Sequence, residues 1–595
     1  MLSRLPLYKL TQNSTSETNM KKALSLSLIT AALFIAGCAQ ESTEKKSQAE
    51  NSSAIKILHT VELAETDTRQ LLEGETLSQH QEGAKIASAV YYKNMPAQLL
   101  LSRVKTYAMS PSKNFIETHN EKYNHQKNNG VSMVNEQPVS TFSVDVDTAS
   151  YANIRRILNQ GSLPQHDVVR VEELINYFTY DYPVPTKAPF SVYNEIGPSP
   201  YNTDKHLLHI GIKGKSMAAN SRPAANLVFL IDVSGSMDQA NKIGLLKNAL
   251  KMLTNQLNPE DSVAIVVYAG AAGTVLKPTK GDNKQAIIDS LAKLTAGGST
   301  NGGEGIEAAY RLAQQSFIKG GINRIMLATD GDFNVGTTNN QALKDLIESK
   351  RMSGIDLSIL GLGTGNYNDE LMQQLAQNGN GNAYYIDTLN EARKVLVEEL
   401  SSTLLTIAKD VKIQVEFNPQ LVSEYRLIGY ETRALNREDF NNDKVDAGDI
   451  GAGHTVTAIY EVSLTNSSNK ANDPLRYQNN SSQSDENKSD ELAFLRLRYK
   501  APAEKSSELI EIAINKKKII NKLDDTSNNY QFSAAVAGFA QLLRGGTNLS
   551  TMALDNIILL AQQGKGEDTH GYRAEFINMV KLAQALSPQL VANNE

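Results

Sequence analysis

Between residues 226 and 408, continuous apolar runs alternate with stretches that have helical spacing. Runs of this kind are typical of strands buried on both faces of a parallel sheet, and they cover 227–231, 262–268, 324–328, 356–360 and 383–386. Helical spacing occurs between and after them, over 243–257, 286–294, 305–317, 342–350, 369–377 and 390–407. The alternation predicts an α/β fold with a doubly wound parallel sheet, in which ligands bind at the carboxyl ends of the strands.

The residues on either side of this segment have a different pattern. Residues 135–225 contain one strand-like run and two short helical stretches, which predicts a small α+β flanking domain. Residues 409–595 begin with alternating, β-rich runs and close with helical stretches, at 411–417, 455–464, 492–499, 534–543 and 552–562. An Asn- and Ser-rich stretch at 466–489 predicts a disordered insertion in this C-terminal domain.

The N-terminal residues have the pattern of a secretory signal. Two lysines precede an apolar run of about 15 residues that ends at Cys38, and a membrane-spanning helix needs about 20. We therefore expect a signal peptide at 20–37 and a tether and variable region at 38–134. Residues 1–19 lie upstream of this signal, and we expect them to be an extension that the natural protein lacks. An ordinary buried cysteine is the alternative for Cys38.

The four residues Ile35-Ala36-Gly37-Cys38 resemble a bacterial lipobox. The resemblance implies that Cys38 becomes a lipidated N-terminus, so that the protein is anchored in the cell envelope by lipid alone. Ala39, rather than Asp, at the next position favours the outer membrane. The protein would then lie either on the periplasmic face of that membrane or on its external surface.

The amino-acid composition excludes several classes of function. The 595 residues include 59 Lys and Arg against 65 Asp and Glu, and the resulting net charge of -6 has the wrong sign for a nucleic-acid-binding protein. Hydrophobic residues make up 41% and charged residues 21%, as in folded globular proteins. The single cysteine excludes an intramolecular disulfide and a thiolate zinc site.

Polar side chains collect where the predicted strands end. Asp232, Ser234 and Ser236 follow the run 227–231, Asp330 follows 324–328, and Thr300 lies in a Gly-rich loop. Because all of these donors are oxygens and few are carboxylates, they suit Mg²⁺ or Mn²⁺ and do not suit zinc. Ser299 is an alternative to Thr300, whereas a capping turn before a helix is the alternative for the Asp-x-Ser-x-Ser segment alone.

Together, Asp232-x-Ser234-x-Ser236, Thr300 and Thr329-Asp330-Gly331 resemble the metal-ion-dependent adhesion site of von Willebrand factor A domains. The resemblance implies that Ser234, Ser236 and Thr300 bind the ion directly and that Asp232 and Asp330 hold it through water. It also implies one open position, which an acidic group of a partner fills. The flanks resemble those of a bacterial subfamily of A-domain lipoproteins with dedicated N- and C-terminal regions. Asp332 and Asn334 are expected at the rim of the site.

Other candidate motifs are incomplete. Asp145 and Asp147 have the spacing of a haloacid-dehalogenase phosphatase, but Ala149 replaces the required Thr, which favours a structural turn. Asp439, Asn441 and Asp443 are spaced as in a calcium loop, but Lys444 stands at the Gly position and Ile450 at the Glu position.

No catalytic motif accompanies the metal site, and His454 is expected to be a strand residue. The favoured hypothesis is therefore a binding protein that recognises an acidic residue of an envelope or surface protein through its metal site. A structural or assembly factor, in which the ion only stabilises the loops, is the alternative. An enzyme would have to use Asp330 or Asp332 as its base, and we do not expect one.

Overall fold

The computed structural model describes residues 121–217, 222–299, 302–331, 340–468, 470–473, 490–502, 504, 506–546, 548–549 and 552–587. They belong to one compact unit, residues 115–595. The predicted signal peptide, Cys38 and most of the insertion at 466–489 lie outside the described residues. Among the described helices, none is long and apolar enough to cross a membrane.

The strands of the described residues are β1 Ser132–Met133, β2 Val139–Ser143, β3 Phe190–Pro198, β4 His206–Gly214, β5 Ala225–Asp232, β6 Ser262–Tyr268, β7 Ala272–Lys280, β8 Ile322–Thr329, β9 Asp356–Leu362, β10 Ala383–Ile386, β11 Thr406–Phe417, β12 Val422–Ile428, β13 Ile450–Gly451, β14 Thr455–Leu464, β15 Glu491–Lys500 and β16 Ser507–Asn515. The α-helices are α1 Ala149–Asn159, α2 Val171–Asn176, α3 Leu245–Asn255, α4 Lys284–Ala292, α5 Gly302–Gln315, α6 Asn340–Arg351, α7 Asp369–Asn378, α8 Leu389–Arg393, α9 Leu400–Leu404, α10 Asn528–Leu543, α11 Leu554–Gln563 and α12 Tyr572–Leu586.

The predicted α/β sheet is present, in the strand order β10-β9-β8-β5-β6-β7. Its first five strands are parallel, whereas β7 runs antiparallel to β6, so the sheet is mixed rather than wholly parallel. Both faces of β5 are covered: Phe229 packs into the apolar cluster on one face and Leu230 into the cluster on the other. Burial on both faces is the physical reason for the continuous apolar run.

The two flanks share their sheets. The sheet β1-β12-β14-β4-β3 combines β3 and β4 from the N-terminal flank with β12 and β14 from the C-terminal flank. Strand β2 pairs with β11, with Phe142 opposite Ile413. Apolar side chains of both flanking sheets form one core, and α1 and α2 pack with α10, α11 and α12 in another. The intervals 135–225 and 409–595 therefore fold together.

The end of the α/β segment differs from its prediction. The predicted helix at 390–407 is α8, a π-helical turn over Lys394–Glu398, and α9, which ends at Leu404. Strand β11 begins at Thr406, so residue 408, predicted as a domain boundary, lies within a strand. The polar backbone groups of residues 406–408 pair with β13 instead of continuing the helix.

Candidate metal centre

Asp232 is the last residue of β5 and is fully buried. Its Oδ1 accepts a hydrogen bond from the backbone N–H of Ser234, 2.8 Å away. Its Oδ2 accepts from the Tyr268 hydroxyl at 3.2 Å and from the Thr329 hydroxyl at 3.3 Å. Burial raises the pKa of Asp232 above its ordinary value, and the hydrogen bonds from Ser234 and Tyr268 oppose that shift. The carboxylate is thus fixed by groups from β6 and β8 on either side of β5.

Ser234 and Ser236 bring their hydroxyl oxygens within 3.0 Å of each other. Two ligands at adjacent corners of an octahedron with Mg²⁺–oxygen bonds of 2.0–2.1 Å are about 2.9 Å apart. The turn is attached to the Gly-rich loop, since Gly235 N–H donates to Gly298 O at 3.0 Å and Gly297 N–H donates to Val233 O at 2.7 Å. Ser234 is buried, Ser236 is half-buried and Gly235 between them is exposed, so the turn reaches solvent at Gly235 and Ser236.

Asp330 follows β8 and is also fully buried. Its Oδ2 accepts a hydrogen bond from the Lys242 ammonium at 2.8 Å, and the same ammonium donates to the Ser236 carbonyl at 3.0 Å. Gly331 has a φ of +91°, and a Cβ there would lie 2.5 Å from the Cα of Tyr367. Only glycine can follow Asp330 in this position.

The donor set fits a hard divalent cation. Within the described ranges, no group of three His, Cys, Asp or Glu side chains could hold a metal ion. Hydroxyl oxygens are a further kind of ligand available at this site. The paired serine hydroxyls provide them, and the two buried carboxylates provide the negative charge. Oxygen ligands with few carboxylates suit Mg²⁺ or Mn²⁺.

The structure brings four of the five predicted metal-site residues to one edge of the sheet: Asp232, Ser234, Ser236 and Asp330. Thr300, Asp332 and Asn334 lie outside the described residues, and Ser299, the alternative to Thr300, is exposed. Thr329 belongs to the predicted Thr329-Asp330-Gly331 motif, and its hydroxyl contacts Asp232. Sequence reasoning did not assign Tyr268 or Lys242 to the site. Tyr268 ends its strand beside β5, a signal that could have found it, whereas Lys242 has the pattern of an ordinary helix-start residue.

Asp145 and Asp147 form ion pairs with one arginine. Arg433 Nε lies 2.9 Å from Asp145 and its Nη2 lies 2.9 Å from Asp147, whose other oxygen accepts from Ala383 N–H at 2.9 Å. Burial and the neighbouring Asp145 raise the pKa of Asp147. These carboxylates line a polar cavity of about 210 Å³, but both are held by the chain itself, as a structural turn requires.

The calcium-loop candidate is also structural. Asp439 caps a short helical turn by accepting from Asn436 N–H at 2.9 Å, while Asp443 pairs with Arg498 at 3.1 Å. His454 immediately precedes β14 and is not within it. Burial lowers the pKa of His454, so its ring is neutral.

Family comparisons assign the three parts of the chain. The profile for von Willebrand factor type A domain matches residues 226–399, where the structure has the α/β sheet. A profile described as von Willebrand factor matches residues 117–209, and one described as uncharacterized protein YfbK, C-terminal, matches 402–586.

Individual proteins are similar to this chain over different shares of its length. Uncharacterized protein YfbK of Escherichia coli (strain K12) is 46% identical over 474 residues, which cover 78% of this chain and 81% of that protein. Human inter-alpha-trypsin inhibitor heavy chain H4 is 28% identical over 30% of this chain and 20% of its own length. A solved von Willebrand factor type A structure from Catenulispora acidiphila matches with a TM-score of 0.36 at 16% identity, over 67% of this chain and 91% of that one.

Proposed function

The chain belongs to the family of Escherichia coli YfbK, and from this premise we propose that it binds a protein partner through a divalent metal ion in its von Willebrand factor type A domain. Ser234, Ser236 and Thr300 would hold the ion directly, and Asp232 and Asp330 would hold it through water. A bound Mg²⁺ or Mn²⁺ supplies an electrophilic position for a carboxylate of the partner.

One observation carries this proposal. The two serine hydroxyls lie 3.0 Å apart beside two buried carboxylates, at the sheet edge where α/β folds bind ligands. The turn is exposed at Gly235 and half-buried at Ser236, so a side chain of a partner could reach an ion bound there.

Binding is favoured over a purely structural ion by the hydrogen bonds of the site. Three donors fix Asp232, and Lys242 connects the Asp330 loop to the Ser236 backbone. Because these bonds already join the loops, an ion is not needed to hold them together. Both carboxylates are engaged by buried donors, which supports a site that binds its ligand without turning it over.

We further propose that lipidation of Cys38 anchors the protein in the cell envelope, at the outer membrane. The partner would then be an envelope or surface protein that presents an acidic residue. Cys38→Ser should move the chain from the membrane fraction to the soluble fraction, as followed by fractionation and immunoblotting. Retention of the variant in the membrane fraction would contradict the anchor.

The binding proposal is tested by capture of partners from envelope extracts. The tagged full chain, extracted in detergent, is incubated with the extract in Mg²⁺ or in EDTA, and captured proteins are identified by mass spectrometry. We expect a set of proteins that requires Mg²⁺ and is lost in the variant Ser234→Ala/Ser236→Ala.

Two other serines provide a matched control. Ser349 and Ser353 are exposed at the C-terminal end of α6 and just beyond it, and their hydroxyls donate to backbone carbonyls. Ser349→Ala/Ser353→Ala should capture the same proteins as the unchanged chain. Capture that is insensitive to EDTA and to the site variant would assign recognition to the flanking regions and leave the ion a structural role.

A further inference from the structure

Lys242 is a buried cation inside the candidate metal centre. Its side chain is 4% exposed, and its ammonium contacts Asp330 Oδ2 at 2.8 Å and Ser236 O at 3.0 Å. A lysine near the start of a surface helix usually extends into water. The position of Lys242 therefore needs a structural cause.

The local backbone and a glycine provide that cause. A π-helical turn over Ala240–Gly244 precedes α3, and it contains Lys242. Such turns interrupt regular helical hydrogen bonding and are frequent at functional sites. The lysine side chain then lies against Gly363, where a Cβ would be 2.2 Å from the lysine Cε. Lys242 thus meets the loops that follow β5, β8 and β9.

We propose that Lys242 is a positioning residue that weakens the affinity of the site for its metal ion. The inference rests on the proposed function and deepens it, because it concerns the regulation of the same site. The ammonium neutralises part of the charge on Asp330 and places a second positive charge beside the ion. A divalent cation therefore binds more weakly here than it would beside Asp232 and Asp330 alone.

Charge balance supports this assignment. The described side chains contribute two buried carboxylates, Asp232 and Asp330, and one buried ammonium, Lys242. With the ammonium the site carries one net negative charge, and without it two. Because buried charges are poorly screened, a change of one elementary charge at hydrogen-bond distance alters the binding constant of the ion by more than about tenfold.

The test is calorimetric titration of the full chain with Mn²⁺ alone. Lys242→Met, which keeps the chain length and removes the charge, should bind Mn²⁺ at least about tenfold more tightly than the unchanged protein. A loss of structure would weaken binding, so tighter binding cannot come from damage to the fold. Lys242→Gln, which keeps a hydrogen-bond donor, should also bind Mn²⁺ more tightly than the unchanged protein. It replaces Lys242→Met in the titration if that variant does not fold.

A double variant shows whether the effect passes through Asp330. Asp330→Asn should weaken Mn²⁺ binding, and adding Lys242→Met to it should give a smaller gain than in the unchanged chain, because only the direct repulsion between the ammonium and the ion is then removed. Equal or weaker Mn²⁺ binding by both Lys242 variants would overturn the inference while leaving the metal site intact. Failure of the unchanged protein to bind Mn²⁺ more tightly than Ser234→Ala/Ser236→Ala would instead overturn the proposed function itself.

Discussion

Gly363 leaves the space that the Lys242 side chain occupies. Its φ is +72°, and an added Cβ would lie 2.2 Å from the lysine Cε and 2.7 Å from its Cγ. We expect Gly363→Ala to lower the free energy of unfolding by about 2–4 kcal/mol, through left-handed backbone strain and overpacking together. Urea denaturation followed by circular dichroism would measure the loss.

A variant at Gly320 distinguishes the backbone strain from the overpacking. It has a φ of +74°, but a Cβ there would have no heavy atom within 4 Å. Gly320→Ala should therefore cost only the backbone strain, about 1–2 kcal/mol. Equal losses for the two variants would show that Lys242 does not pack against Gly363 as described.

Residues of the site were predictable where a motif fixes their spacing. The position of Asp232, Ser234, Ser236 and Asp330 at one edge of the sheet was predictable, because short polar motifs end continuous apolar runs and strand ends of a parallel sheet meet at one edge. Lys242 was not predicted at the site, because the inward direction of its side chain depends on a π-helical turn and on Gly363, 121 positions later in the sequence. Neither feature leaves a local pattern at Lys242.

Among the elements, strands buried on both faces were predicted best. The predicted strands at 262–268, 383–386 and 455–464 have the bounds of β6, β10 and β14. Strand β7 was missed, since it is the edge of its sheet and its residues are exposed or half-buried. An exposed edge strand needs no apolar run, so its sequence carries little signal. Strands β1, β3, β4, β12, β13 and β16 and helix α12 were missed as well.

His209 joins β4 to helix α10 through a buried, neutral ring. Its nitrogens lie 3.0 Å from the Ser533 hydroxyl and 2.7 Å from the Tyr182 hydroxyl. Burial lowers the pKa of His209 to about 3, whereas an unfolded histidine has a pKa of about 6.5. The unfolded chain therefore binds the proton more tightly, and the stability from this residue, complete above pH 6.5, is lost as the pH falls.

The expected loss is about 3 kcal/mol between pH 7 and pH 4. It is measured as the difference in urea unfolding between the unchanged chain and His209→Gln, which cannot take up the proton. The variant should lose less stability on acidification. His166→Gln, at an exposed position, should follow the unchanged chain. The same pH dependence in His209→Gln and the unchanged chain would contradict a buried neutral histidine.

At the scale of the whole molecule, the N- and C-terminal flanks share two sheets. Sequence patterns divide this part of the chain into three intervals, but they cannot show that the first and third share sheets. That pairing joins residues far apart in the chain, such as Ser140 with Val415 and Ile210 with Ala458. Strand pairing depends on tertiary contacts that periodicity within one segment does not encode.

Arg155 connects all three parts of the chain from helix α1. Its guanidinium pairs with Asp387, which follows β10, with Glu391 of α8 at 2.8 Å, and with Glu575 of α12 at 2.7 Å. The arginine, Asp387 and Glu391 are all at least 95% buried. Arg155→Met should lower the free energy of unfolding by about 3–5 kcal/mol, because it leaves buried carboxylates without their counter-ion.

An exposed ion pair gives the comparison for this prediction. Arg496 and Glu511 lie 3.3 Å apart, with side chains 36% and 43% exposed, so Arg496→Met should cost at most about 1 kcal/mol. Urea unfolding measures the loss of stability in both variants. Hydrogen exchange of α12 shows which part of the structure is destabilised in Arg155→Met. If Arg155 holds the parts together, exchange in α12 and α8 should rise in Arg155→Met and stay unchanged in Arg496→Met. Losses below 1 kcal/mol in both variants would mean that the apolar cores alone join the flanks to the α/β segment.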